Sequence, residues 1–249
     1  MFGQNEGFLA LDAGNSRLKW MYRAGADESV GVCDYGEFGS VSLLQKIKCE
    51  NPSRIVVSSV KPEAFNRQLA ERCVAAWGVK PVFAHVEKNC LGVTAGYENL
   101  AHLGVDRWLA MLAAFSANEQ ACVVVDAGTA ITVDFVESRG RHIGGLIVPG
   151  IQASARALFR DTHAVSPESL TLAQKWQPGC DTLSCVEQGV SASLQGLLAQ
   201  IEGFSLQMGS DVKLYLTGGD AAVLQPWLGG SIKSPELVLE GALLWLKQL

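Results

Sequence analysis

The chain has 249 residues, 48% of them hydrophobic and 18% charged, which describes a globular protein with room for two domains that each bury a core. A formal net charge of −5, with no run of Lys or Arg, excludes nucleic acid as the main partner, because neutralising phosphates takes clustered positive charge. No apolar stretch is long enough to span a bilayer, and Met1 to Gly7 lack the basic and apolar parts of a leader, so a cytoplasmic protein without a membrane is expected.

Phe8 to Leu11 reads as an apolar strand, Asp12-Ala13-Gly14-Asn15 as a tight turn, and Leu18 and Trp20 as the inward side of a returning strand. Residues 22–40 predict further strand and turn. Val41 to Lys48, with Leu43, Leu44 and Ile47 apolar, predicts a short amphipathic helix broken by Asn51-Pro52. Ile55 to Val60 reads as a buried strand. Pro62 opens a helix with Phe65, Leu69, Cys73 and Trp77 on one face, and Gly78 stops it. Pro81 to Val86 is read as a strand and 89–103 as a loop. Gly104-Val105-Asp106-Arg107 then leads into Trp108 to Phe115, a helix apolar on every side. Asp106 has two readings here. It is either an ordinary carboxylate favoured by the helix dipole, or one held at the mouth of a cleft, with Arg107 beside it for an anionic substrate group.

The second half begins near Gln120. Val123 to Val125 form a buried strand, Asp126-Ala127-Gly128-Thr129 a turn, and Ile131, Val133 and Phe135 alternate along the strand that leaves it. A P-loop or a Rossmann turn would lead into a helix; this turn joins two strands. Gly128 lets the backbone approach a ligand, turn N–H groups can face an anion, and Asp126 can hold a cation beside it. The same succession of strand, Asp, Ala, Gly and small polar residue stands at Asp12 to Asn15, close to half a chain length away. A tandem duplication, with domains over 1–118 and 119–249, would set the two hairpins across a cleft.

Gly144-Gly145 allows close approach of backbone or ligand, and Pro149-Gly150 turns the chain into a helix from Ile151 to Phe159. Residues 160–183 read as a polar loop or flap, followed by a helix from about Ser184 to Gly203. Val212 to Thr217 is a strand. The turn Gly218-Gly219-Asp220 after it could pass under a nucleobase or be a plain connection. Leu237 to Leu249 closes the chain as an apolar helix. The seven cysteines form no Cys-x-x-Cys pair, and most read as small buried hydrophobes of a reducing compartment. The four histidines have no ligand spacing, so no structural zinc is expected.

Four stretches together are similar to type III pantothenate kinase, a family within the acetate and sugar kinase and actin superfamily. They are Asp12 to Lys19; Tyr97 with Gly104 to Arg107; Asp126 to Thr132; and Gly144 to Gly150. Similar sequences often carry proline three residues after the tyrosine, where this chain has Leu100. The resemblance implies an α/β fold of two tandem ribonuclease-H-like (actin-like ATPase) domains with a cleft between them. It also implies a homodimer that phosphorylates pantothenate with ATP, Mg²⁺ and a monovalent cation, K⁺ or NH₄⁺. On this reading Asp12, Ala13, Gly14, Asn15, Ser16, Arg17, Leu18 and Lys19 form the ATP-phosphate segment and Thr129 is an ATP contact. Asp126 would hold the monovalent cation, while Lys19 and a Mg²⁺ near Asp12 would offset phosphate charge. Tyr97, Gly104, Val105, Asp106 and Arg107 would form the pantothenate site, with Asp106 as proton acceptor and Thr182 as a further substrate contact. The apolar helix after Arg107 would suit a dimer face burying Trp108 or Leu112.

Overall fold

The computed structural model describes residues 6–35, 44–159, 170–173 and 175–249. The readings that fall on 36–43, 160–169 and 174, which include His163 and much of the expected flap, lie outside the described residues. Contacts divide the chain into two units. The first runs to Glu119 and adds Gly140–His142 and Glu236–Leu249; the second holds Gln120–Arg139 and Ile143–Pro235.

In the first unit β1 (Gly7–Ala13), β2 (Arg17–Ala24) and β3 (Asp27–Asp34) form an antiparallel meander. β4 (Arg54–Ser59) runs parallel to β1, and β5 (Val82–Phe83) parallel to β4, giving the order β3-β2-β1-β4-β5. A strand buried on both faces reads as an unbroken apolar run, and β1 is buried from end to end. α1 (Glu63–Trp77) buries Leu69 and Cys73 and ends at Gly78, as its four-residue spacing required. The helix expected over 41–48 is, in its described part, a single 3₁₀ turn at Leu44–Lys46 that buries Leu44. The strand expected over 81–86 keeps two residues. The expected loop contains a small hairpin, β6 (Asn89–Cys90) with β7 (Val93–Thr94), and a 3₁₀ turn at Leu100–His102. The Asn99 side chain caps that turn by accepting from the Ala101 N–H at 3.1 Å, so the position that lacks proline is still held in shape. α2 follows (Val105–Asn118).

The second unit repeats the plan. β8 (Cys122–Ala127) pairs antiparallel with β9 (Ala130–Val136), and β10 (His142–Pro149) lies beyond β9. α3 (Ile151–Phe159) and α4 (Thr182–Met208) come next. β11 (Lys213–Thr217) then runs parallel to β8, α5 (Ala221–Leu224) turns the chain, and β12 (Ile232–Lys233) runs parallel to β11. The order β10-β9-β8-β11-β12 matches the first sheet strand for strand. The register matches as well. Asp12 faces Lys19 on β2 and Ser58 on β4, while Asp126 faces Thr132 on β9 and Thr217 on β11.

The last helix, α6 (Leu237–Leu246), counts in sequence with the second half but packs on α2, β1 and β4 of the first unit. This corrects the expected dimer face. Trp108 and Leu112 are both 0% exposed, enclosed within their own unit, and α2 is apolar all round because neighbours cover it all round. The α2–α6 crossing depends on Gly241, where a Cβ would stand 1.9 Å from the Leu109 carbonyl oxygen. Gly241→Ala gains up to about 1 kcal/mol of helix propensity. The clash is with backbone and costs about 1–3 kcal/mol or more, so it wins. A urea titration should show a lower midpoint; unchanged or raised stability would contradict this packing.

Candidate active site

Two groups of candidate residues sit in the first unit. Asp12, 8% exposed, lies at the C-terminal end of β1, and the Ser58 hydroxyl donates to its Oδ1 at 2.9 Å. A buried carboxylate needs such partners, since desolvation disfavours its charge. Lys19 stands opposite on the same face of the sheet. In the turn beyond, the Tyr35 hydroxyl donates to the Gly14 carbonyl at 2.9 Å and the Lys61 ammonium to the Asn15 carbonyl at 2.7 Å. Lys61 also lies 4.1 Å from the Tyr35 ring centroid. In a planar trans peptide N–H points opposite to C=O, so the Asn15 and Ser16 amides are aimed away from Tyr35 and Lys61. Burial, and then the charge of Asp12, raise the Tyr35 pKa, which keeps its hydroxyl a donor.

Within this segment Ala13 and Leu18 are fully buried, so their side chains belong to the core and only their main chain is left for a nucleotide. Arg17 forms an exposed ion pair with Asp34 at 3.1 Å, a contact of little energetic weight. Ser58, Tyr35 and Lys61 escaped the sequence reading. Their roles come from strand register, and the one local hint was a serine pair ending an otherwise apolar strand.

The second group is built on the start of α2. Asp106 Oδ1 accepts from the Arg107 N–H at 2.8 Å, which folds the carboxylate back over Gly104. A Cβ at Gly104 would stand 2.5 Å from that oxygen, so a side chain there would push the Asp106 carboxylate out of this position. Arg107 is buried at 7% exposure, and its guanidinium donates to the Tyr97 hydroxyl at 3.1 Å. Tyr97 in turn stacks on His142, with centroids 5.8 Å apart and rings 11° from parallel. Tyr97 and Arg107 are thus held as one assembly.

Between the two groups lies the end of β4. The Val60 N–H donates to the Ala13 carbonyl at 3.3 Å, tying this chain to the phosphate-turn side. On its other side an open hollow of about 460 Å³ is lined by Ser59, Val60, His85, Leu103, Gly104 and Val105. That volume suits a small organic molecule, and its place, outside the C-terminal ends of parallel strands, is where α/β sheets bind ligands. A second hollow of about 390 Å³, in the other unit, is lined by residues such as Glu202, Leu206 and Gly230, none of them a candidate.

In the second unit Asp126, half-buried, ends β8 as Asp12 ends β1. The hydroxyl equivalent to Ser58 belongs to Thr217, but it donates to the Pro235 carbonyl at 3.2 Å. Asp126 instead faces backbone. A Cβ at Gly218, whose φ is +94°, would stand 2.5 Å from Asp126 Oδ1 and 2.3 Å from the Ala127 carbonyl. Gly150 presses on the β8–β9 turn in the same way, with its Cβ position 2.2 Å from the Gly128 carbonyl and its N–H donating to Thr129 O at 3.0 Å. One expectation changes. The Gly128 N–H closes its own turn onto Ala130 O at 3.0 Å and is not aimed outward for an anion. Thr182 is exposed as the first residue of α4, behind the N-cap Asp181. The Ser184 N–H and hydroxyl hold the Asp181 carboxyl below its usual range. The cap therefore contributes above the unfolded pKa and fades as pH falls through the lower folded value.

The family model of type III pantothenate kinase matches residues 8–204. The chain is 38% identical over 245 residues to the type III pantothenate kinase of Teredinibacter turnerae, covering 94% of this chain and 96% of that one. It is 35% identical over 243 residues to that of Pseudomonas savastanoi pv. phaseolicola, covering 94% and 96%. Among solved structures, a Campylobacter jejuni protein of the Baf family of transcriptional activators aligns with a TM-score of 0.61 at 24% identity, covering 96% and 98%. Component A of (R)-2-hydroxyglutaryl-CoA dehydratase from Acidaminococcus fermentans aligns with a TM-score of 0.51 at 14% identity, covering 97% and 96%. These structural likenesses speak to the fold alone, the α/β fold of actin-like ATPases and sugar kinases, with its two sheets.

Proposed function

The chain belongs to the type III pantothenate kinase family, and on that premise we propose that Asp106 takes the proton of the pantothenate hydroxyl as phosphate is transferred. The activity is ATP-dependent phosphorylation of pantothenate to 4'-phosphopantothenate, which opens coenzyme A biosynthesis. The observation that carries the proposal is the hollow lined by Gly104 and Val105, the two residues that precede a carboxylate fixed by its own helix start. An alcohol is a poor nucleophile, and a carboxylate in hydrogen-bond reach accepts its proton as the new bond forms. Tyr97, Gly104, Val105 and Arg107, with Thr182, hold pantothenate; a buried guanidinium already braced by Tyr97 is suited to the substrate carboxylate.

Asp12 to Lys19 hold the ATP phosphates through the outward amides of the turn and the Lys19 ammonium, and Thr129 adds a contact. Phosphoryl transfer asks for positioning and charge neutralisation above all, and these groups supply both. Asp12 fits Mg²⁺, whose hard-oxygen coordination is commonly made of one or two carboxylates plus phosphates. Asp126 fits a monovalent cation, K⁺ or NH₄⁺, because the missing side chain at Gly218 leaves its carboxylate beside the Ala127 carbonyl oxygen. When bound, such ions would neutralise phosphate charge. The protein acts in the cytoplasm as a homodimer, for which exposed Leu146, Ile147 and Leu158 offer apolar surface. Among the described residues no helix is long and apolar enough to cross a membrane.

The test is ADP release by purified protein with ATP, Mg²⁺ and K⁺. Release should require pantothenate among a panel of small alcohols. Slow hydrolysis indifferent to the acceptor would instead mark a nucleotide-driven switch on the same fold.

A further inference from the structure

Cys33, Cys73, Cys90 and Cys122 are buried and Cys49 half-buried, as small apolar side chains should be; Cys180 and Cys185 are exposed. These two flank the start of α4. With Asp181 as N-cap, Cys180 is the residue before the cap and Cys185 the fourth helical residue. Side chains at those positions meet across the first turn, where a pair of apolar residues ordinarily staples the incoming chain. Here each is a thiol.

Several contacts keep the turn closed. The Cys180 N–H donates to Ser184 Oγ at 3.1 Å, the Ser184 N–H donates to Asp181 Oδ1 at 2.9 Å, and the Cys185 thiol donates to the Gly179 carbonyl at 3.4 Å. Gly179 lies so close under the helix that a Cβ there would stand 2.4 Å from the Cys185 nitrogen. The segment bearing the first thiol is therefore pressed against the residue bearing the second. The remaining cysteines are poor competitors. Burial pushes the Cys49, Cys73 and Cys122 thiols up to about 12, and burial followed by the Glu87 charge raises Cys90.

We propose that Cys180 and Cys185 are a redox pair that closes a reversible disulfide over the first turn of α4 when it meets a small disulfide such as oxidised glutathione. One protein thiolate attacks a glutathione sulfur, forms a mixed disulfide and expels one glutathione thiolate. The second protein thiolate then attacks the protein sulfur of that mixed disulfide and expels the other glutathione. The two cysteines lose two protons and two electrons, and glutathione disulfide is reduced to two thiols. The new bond brings the Cβ atoms to about 3.8 Å and resets the turn that carries Thr182. The bond itself stands independently of the kinase assignment; its effect on turnover rests on Thr182 touching pantothenate.

The full-length protein is treated with oxidised glutathione, its remaining thiols are alkylated, and its peptides are mapped by mass spectrometry. The expected product is an intrachain Cys180–Cys185 cross-link that dithiothreitol removes. With it the pantothenate KM should rise about threefold to tenfold, reversibly, while the ATP KM stays put. Cys180→Ser and Cys185→Ser should each stop at a mixed disulfide on the remaining thiol. Separate glutathione adducts on both cysteines of the unaltered protein, or two alkylated thiols, would overturn the pair. A complete cross-link with an unmoved pantothenate KM would overturn the link to substrate and the placing of Thr182, while leaving ATP-dependent phosphorylation itself untouched.

Discussion

Asp106→Asn is expected to lower kcat by about 10²- to 10⁴-fold, the range that a positioned general base contributes. The fold should survive. Asparagine keeps the side-chain oxygen that accepts from the Arg107 N–H, and it is no larger where Asp106 folds over Gly104. What it loses is the capacity to take a proton. Nucleotide binding, followed by a fluorescent ATP analogue or calorimetry, should remain within a few-fold of the parent, because the phosphate turn belongs to a different strand end. A variant that keeps kcat within tenfold of the parent would remove Asp106 from the chemistry and leave it a helix-start carboxylate.

Asp12→Asn should act on the opposite substrate. The side chain is 8% exposed and accepts from the Ser58 hydroxyl, and asparagine can keep that bond through its own oxygen. The lost negative charge removes the group proposed to hold Mg²⁺ with the phosphates and unbalances Lys19 across the strand pair. Losing one such preorganised electrostatic partner costs about 10²- to 10³-fold. The fall should appear in kcat/KM for ATP, with a raised Mg²⁺ requirement and an unchanged pantothenate KM. Equal losses for both substrates would point to a general loosening of the sheet end.

Much of this was legible in the sequence where signals are local. The paired hairpins around Asp12 and Asp126, the spacing of α1 and the all-apolar α2 each follow from a periodicity of two or 3.6 residues. The matching sheet orders could be anticipated because one turn chemistry occurs twice. What failed to show were partners chosen by tertiary packing. Nothing in Leu237 to Leu246 says that this helix belongs to α2, so the sequence leaves Trp108 and Leu112 without the neighbours that bury them. Ser58 reaches Asp12 only through the parallel register of β4 on β1, and Lys61 reaches Asn15 only through the chain after β4. Behind its Asp181 cap the helix starts at Thr182, two residues upstream of the expected Ser184, because hydrogen bonds, rather than apolar spacing, define a first turn.

The central claim is that one carboxylate receives the substrate proton. The most direct measurement is a crystal structure with pantothenate and a non-hydrolysable ATP analogue. It should place the pantothenate primary hydroxyl about 2.6–3.2 Å from an Asp106 oxygen, with its carboxylate on the Arg107 side. A substrate whose hydroxyl turns away from Asp106 toward another base would contradict the account.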